Sequence, residues 1–161
     1  RNDLSEQELL TSINRVKKAL EGTNIDVSYV DTYFEYQKRP KLIEACDVIL
    51  VNCYPFWEGY SIEESLTLLR QMYTLVNNVA NGKKVIIAET GWPSQGSSKE
   101  DAIPTLLNAM KYFITTLDWA QNQNVELFHF SSFDETWKVA LEGEVGARWG
   151  IWDKNEKFKF N

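Results

Sequence analysis

The sequence has 161 residues, 43% of them hydrophobic and 13% aromatic, which is enough apolar surface for a packed domain and too much for a disordered chain. Its 23 acidic and 17 basic residues leave a net charge of −6, and no basic run exceeds a pair such as Lys38-Arg39, which argues against nucleic acid or an anionic membrane as partner. No apolar stretch approaches the roughly 18 residues that a membrane span needs.

Ser5-Glu6-Gln7-Glu8 is a capping box, and Leu9, Leu10, Ile13, Val16 and Leu20 follow it at helical spacing, with Gly22 closing the helix. Ile25 to Phe34 reads as a strand with Val27, Tyr29 and Val30 in its middle. Pro40 opens a short helix to about Ala45. Val48-Ile49-Leu50-Val51 is a continuously apolar strand that leads into Asn52-Cys53-Tyr54-Pro55-Phe56-Trp57. A second capping box, Ser61 to Glu64, starts a helix carrying Leu66, Leu69, Met72, Tyr73 and Val76. Val85-Ile86-Ile87-Ala88 is too short for a buried helix and rich in β-branched residues, so it predicts a strand buried on both faces. That strand ends on a carboxylate, Glu89, and Gly91 and Pro93 force a turn behind it. A long helix is expected from about Glu100 to Gln121, with Pro104 tolerated in its first turns and Leu106, Leu107, Met110, Phe113, Ile114 and Leu117 as its apolar stripe. Val125 to Phe133 is the last expected strand, followed by a mixed tail that ends as a helix or a loop.

Cys46 and Cys53 flank one strand. Seven extended steps separate their Cα atoms by roughly 23 Å, against the roughly 7 Å that a disulfide allows. Both are expected as buried free thiols. His129, the only histidine, sits mid-strand and is expected as a core or barrel-lining residue.

Buried strands alternating with amphipathic helices predict a parallel α/β sheet with right-handed crossovers. No G-x-G-x-x-G or P-loop follows any strand, which argues against a nucleotide site. No His, Cys or carboxylate spacing suggests a metal, and no cofactor is expected. Aromatic and polar residues gather after strand ends, at Tyr33 to Glu35, Tyr54 to Tyr60, Glu89 to Ser94 and Asp134 to Lys138. An active face at the carboxyl ends of parallel strands has this distribution. Four strands are too few to close an eight-stranded barrel, so the expected architecture is half of one, a single partial domain over 1–161.

Four ordered motifs carry a family resemblance. Glu89-Thr90-Gly91-Trp92-Pro93-Ser94 resembles the nucleophile motif of glycoside hydrolase family 17, the β-1,3-glucanases and related glucanosyltransferases. Tyr54-Pro55-Phe56-Trp57 is similar to the aromatic turn after that family's sixth strand. Phe133 to Lys138 resembles the end of its eighth strand, and Gly146 to Ile151 its closing segment. The resemblance implies a (βα)₈ TIM barrel of which this chain supplies strands five to eight, the carboxyl-terminal half, with the amino-terminal half as its missing partner. It implies retaining cleavage of β-1,3-glucan or its oligosaccharides, with Glu89 as nucleophile and Glu135 and Lys138 as auxiliary groups. Tyr33, Tyr54, Phe56, Trp57, Trp92 and Trp137 are the implied substrate-binding residues. The acid/base, in a V-G-N-E motif after the fourth strand, would fall just before Arg1, so this segment by itself is expected to be inactive. A glucanosyltransferase and a non-catalytic glucan-binding half-barrel are the alternatives. The family further implies a secreted or cell-wall location.

Overall fold

The structure, a computed structural model, describes residues 4–160. The chain divides into two compact units. The first takes the chain through Cys53 and then Gln71–Ala88; the second takes Tyr54–Arg70 and the residues from Glu89 on. Strands β1 (Val30–Thr32), β2 (Ile49–Asn52), β3 (Val85–Thr90) and β4 (Glu126–His129) follow one another in sheet order, parallel and alternating with helices, and β3 begins in the first unit and ends in the second.

In the first unit, α1 (Glu6–Ala19) starts on the predicted capping box. The Ser5 hydroxyl accepts from the Glu8 N–H, and the Glu8 carboxylate accepts from the Ser5 N–H at 2.8 Å. Of its apolar stripe only Ile13 is buried, and Val16 stays exposed. Lys17 reaches across to the Ala45 carbonyl (3.1 Å) and Asp47 (2.6 Å) and so anchors α1 to α3 (Pro40–Ala45). β1 pairs with β2 in parallel, Val30 opposite Leu50 and Thr32 opposite Asn52.

The strand expected over 25–34 is cut to three residues: α2 (Tyr33–Tyr36) begins at Tyr33. Ahead of β1 the Val27 N–H donates to the Asp47 carboxylate and the Ser28 hydroxyl to Val48 O, bonds that involve side chains and not a strand ladder. Tyr36 is buried there, its hydroxyl between the carbonyl oxygens of Tyr29 and Leu50 (2.5 and 2.7 Å). Glu35 pairs with Arg39 at 3.0 Å one helical turn later. Aromatic residues favour strands in general, but here burying a tyrosine with its hydroxyl satisfied requires the turn. Cys46 and Cys53 are buried free thiols, and burial pushes Cys53 up to about 12.

α4 (Ile62–Val79) runs from the second unit into the first, with Leu69, Met72 and Val76 fully buried. In the second unit, α5 (Leu106–Gln123) begins later than expected. Thr105 caps it, accepting from the Asn108 N–H at 3.1 Å, while residues 99–102 close a separate turn ahead of Pro104. The expected stripe is also wrong. Ala109, Tyr112, Thr116, Trp119 and Ala120 face inward, whereas Leu106, Leu107, Ile114 and Leu117 are exposed. The Tyr112 hydroxyl hydrogen-bonds the Thr90 hydroxyl at 2.6 Å in the core, and its ring packs on Trp92. A polar aromatic with a buried partner outcompetes leucines for the inward face.

The expected strand over 125–133 holds only over β4. Beyond it the chain pairs irregularly with the tail. Ser131 N–H donates to Trp149 O, Trp152 N–H to Ser132 O, and Asp134 N–H to Trp152 O. The tail is a loop that returns Lys159 to the buried Asp134 carboxylate (2.8 Å), which also accepts from the Gly150 N–H and faces Arg148 at 3.5 Å.

Candidate active site

β3 fixes the orientation of Glu89. Side chains alternate along a strand, so neighbours point to opposite faces. Thr90 points to α5 and bonds Tyr112 there, which sends Glu89 to the other face. Gly91 then lets the strand end approach β4's continuation closely. A Cβ at this position would overlap the Phe130 carbonyl oxygen and touch the Trp149 ring. The Phe130 N–H donates to Thr90 O at 2.8 Å and holds the two segments together.

The Tyr54 hydroxyl donates to Glu89 Oε2 at 2.7 Å. Burial pushes the Tyr54 phenol far above its ordinary value, and the Glu89 charge adds to the shift, so the group remains a protonated donor at any working pH. Around this pair lies a pocket of about 230 Å³ lined by Tyr54, Trp57, Glu89, Phe130, Lys138, Glu142 and Trp149. Trp149 is buried and makes the back wall, edge-on to Tyr54 (5.3 Å) and tilted against Trp57 (5.7 Å). Its indole Nε1 is buried without a hydrogen-bond partner among the described residues.

Lys138 ends a 3₁₀ turn (Thr136–Lys138), which places its ammonium 2.6 Å from Glu135 and 4.1 Å from the centre of the Phe130 ring. Glu135 therefore holds Lys138 and does not itself line the pocket.

The sequence-predicted residues divide into groups. Glu89, Tyr54, Trp57 and Lys138 meet in the pocket. Trp137 is exposed beside Lys138 (5.2 Å), with a face open to solvent. Phe56 and Trp92 correct the expectation of sugar platforms. Both are fully buried, packed edge to face at 5.3 Å, and the Trp92 indole donates to the Ile103 carbonyl. A ring with no exposed face cannot stack on a ligand. They are the floor that supports the site. Tyr33 belongs to the first unit, at the start of α2. Sequence reasoning missed Phe130, Glu142 and Trp149 as wall residues. The W-G-I-W run carried a signal for Trp149; V-A-L-E carried none for Glu142. His129 packs edge-on to Phe113 (4.9 Å). Among the described residues no cluster of His, Cys, Asp and Glu is arranged to hold a metal, and no helix is long and apolar enough to cross a membrane.

A family model described as the BtgE/BtgC glycoside hydrolase domain matches residues 1–150. A glucan 1,3-β-glucosidase of Candida albicans is 26% identical over 185 residues, covering 100% of this chain and 58% of that protein. A cell surface mannoprotein of the same organism is 29% identical over 140 residues, covering 84% of this chain and 36% of that protein. Among solved structures, the glycoside hydrolase family 17 β-1,3-glucanosyltransferase of Rhizomucor miehei superposes with a TM-score of 0.91 at 30% identity, over 98% of this chain and 57% of that one. An active-site mutant of that enzyme, in complex with laminaritriose, gives 0.92 at 29% identity, with the same coverage. The fold class is that of half a (βα)₈ barrel, and the chain spans little more than half the length of the glucosidase and glucanosyltransferase it matches.

Proposed function

Because the chain belongs to the BtgE/BtgC glycoside hydrolase domain family, within glycoside hydrolase family 17, we propose that it carries the nucleophile of a site that cleaves β-1,3-glucan with retention. The observation that carries this reading is the 2.7 Å hydrogen bond from Tyr54 to Glu89 at a strand end, on the wall of an aromatic-lined pocket. In retaining hydrolysis one carboxylate attacks the anomeric carbon while a second carboxyl, roughly 5–5.5 Å away, protonates the departing oxygen. Glu89 makes the C–O ester as the glycosidic C–O bond breaks. Tyr54 holds one carboxylate oxygen and leaves the other free to attack.

The proton donor comes from a carboxyl outside these 161 residues, on the amino-terminal half of the barrel. Lys138, clamped by Glu135, supplies positive charge to the carboxylates of the pocket and to sugar hydroxyls. Trp57 and the exposed Trp137 offer faces on which pyranose rings stack. The segment alone is inactive, since it holds the nucleophile without the acid. The relationship to a cell surface mannoprotein supports a secreted or cell-wall location.

Transfer is the second reading, favoured by the likeness to the R. miehei β-1,3-glucanosyltransferase. The same glycosyl-enzyme then yields to a sugar hydroxyl in place of water. In the intact enzyme, Glu89→Gln is expected to abolish turnover while laminari-oligosaccharides still bind; near-normal hydrolysis by that variant sinks the nucleophile assignment. Chromatography of the wild-type products separates the two reactions, because chains longer than the substrate arise only by transfer.

A further inference from the structure

We propose that Glu142 is the second carboxylate of this pocket and that it binds a hydroxyl of the glucosyl unit held against Glu89. The inference rests on the reading of the Glu89 pocket as a glucan site. Three observations carry it.

First, Glu142 lines the same cavity as Glu89, Tyr54 and Lys138, and its charge, after burial and after Glu89 itself, helps to keep the Tyr54 hydroxyl protonated. The two carboxylates therefore face one small space. Second, nothing local calls for an acid here. Glu142 is the last residue of the single-turn helix α6 (Val139–Glu142), which has no side-chain cap hydrogen bond. Its carboxylate has no hydrogen bond or ion pair among the described residues. Third, the chain makes room for this side chain. Gly146 is buried, and a Cβ there would collide with the Glu142 Cβ and come within 3.1 Å of its Oε2. The bare glycine is the shelf against which the carboxylate lies.

The ligand chemistry follows from the walls. An unpaired carboxylate offers strong acceptors to hydroxyl donors. Lys138 in the same wall, already neutralised by Glu135, adds an N–H donor for sugar oxygens, and the aromatic sides suit the apolar face of a pyranose. A neutral, donor-rich sugar ring satisfies all three. Glu142 is thus a substrate-binding residue, distinct from Glu89, which forms the covalent bond.

The experiment is calorimetric titration of laminaritriose into the intact enzyme and its Glu142→Gln and Gly146→Ala variants, with steady-state kinetics on the same proteins. A lost charge-assisted hydrogen bond corresponds to a roughly tenfold to hundredfold weaker Kd. Glu142→Gln is expected to weaken binding by that factor and to raise KM with kcat little changed. Its thermal midpoint stays at the wild-type value, because residue 142 is exposed on the protein surface. Gly146→Ala reproduces the weaker binding by displacing a carboxylate that is still present. Wild-type affinity in Glu142→Gln overturns the assignment, as does a loss of affinity that merely tracks a loss of thermal stability. Weakened binding supports it whether or not Glu89→Gln still turns over, so failure of the nucleophile reading is seen separately.

Discussion

Replacing Gly91 by alanine tests whether the tight approach of β3's end to the segment after β4 builds the site. The added methyl would overlap the Phe130 carbonyl oxygen, and Phe130 is not free to retreat, since its N–H donates to Thr90 O at 2.8 Å and its ring packs against Trp149. Overpacking a core costs about 1–3 kcal/mol, and a collision with pinned backbone belongs at the upper end, about 3 kcal/mol. At roughly 2–4 °C per kcal/mol for a protein above 150 residues, the thermal midpoint should fall by roughly 6–12 °C. Glu89 is two residues upstream and Phe130 is a pocket wall, so relief of the clash shifts reacting groups; a displacement of about 1 Å can lower kcat/KM about 100-fold. Scanning calorimetry and kinetics on β-1,3-glucan with the intact enzyme measure both effects. Gly82→Ala is the control. Gly82 has φ +79° and open space around it, so alanine there is strained by about 1–2 kcal/mol without touching the pocket and should leave kcat/KM intact. A Gly91→Ala enzyme with wild-type midpoint and activity refutes the reasoning.

Two other predictions follow from burial. His129 is held neutral, its imidazole lowered from 6.5 to about 4 by burial and then by the Lys159 charge. Folding therefore excludes a proton that the unfolded chain accepts. This contribution is fully present above pH 6.5 and is lost as pH falls toward 4, worth about 3 kcal/mol at most. His129→Gln should flatten the denaturant-midpoint profile between those two values, and an unchanged slope contradicts the account. Trp92→Ala and Trp137→Ala should separate scaffold from surface. The buried Trp92 costs about 3–5 kcal/mol of stability when truncated, whereas the exposed Trp137 lowers oligosaccharide affinity with little change in unfolding midpoint. Equal effects of the two substitutions on stability would undo that division.

Much of the architecture was legible because it depends on local chemistry. Ser5 and Glu8 announce α1, the run Val85–Ala88 announces β3, and Cys spacing alone decides against a disulfide. The failures have a common cause, a tertiary partner that no local pattern reveals. Tyr36 turns the chain into a helix at Tyr33 to reach carbonyls on two segments, and Tyr112 claims the inner face of α5 by bonding Thr90. The site shows the same split. Glu89, Tyr54 and Lys138 stood out by motif and meet in space, while Phe56 and Trp92, equally prominent in sequence, are the buried floor. Glu142 was silent because no local pattern shows that the chain lays its side chain against the bare Gly146 and into the Glu89 pocket.

The central claim is that Glu89 forms a covalent bond to the sugar. A 2-fluoro glucosyl donor with a good leaving group, incubated with the intact enzyme, should trap the glycosyl ester, because the fluorine slows its hydrolysis more than its formation. Peptide mass spectrometry then locates the label. The account predicts one sugar per protein on the peptide that contains Glu89, and none in the Glu89→Gln variant. A label on any other carboxylate, Glu135 or Glu142 included, contradicts it.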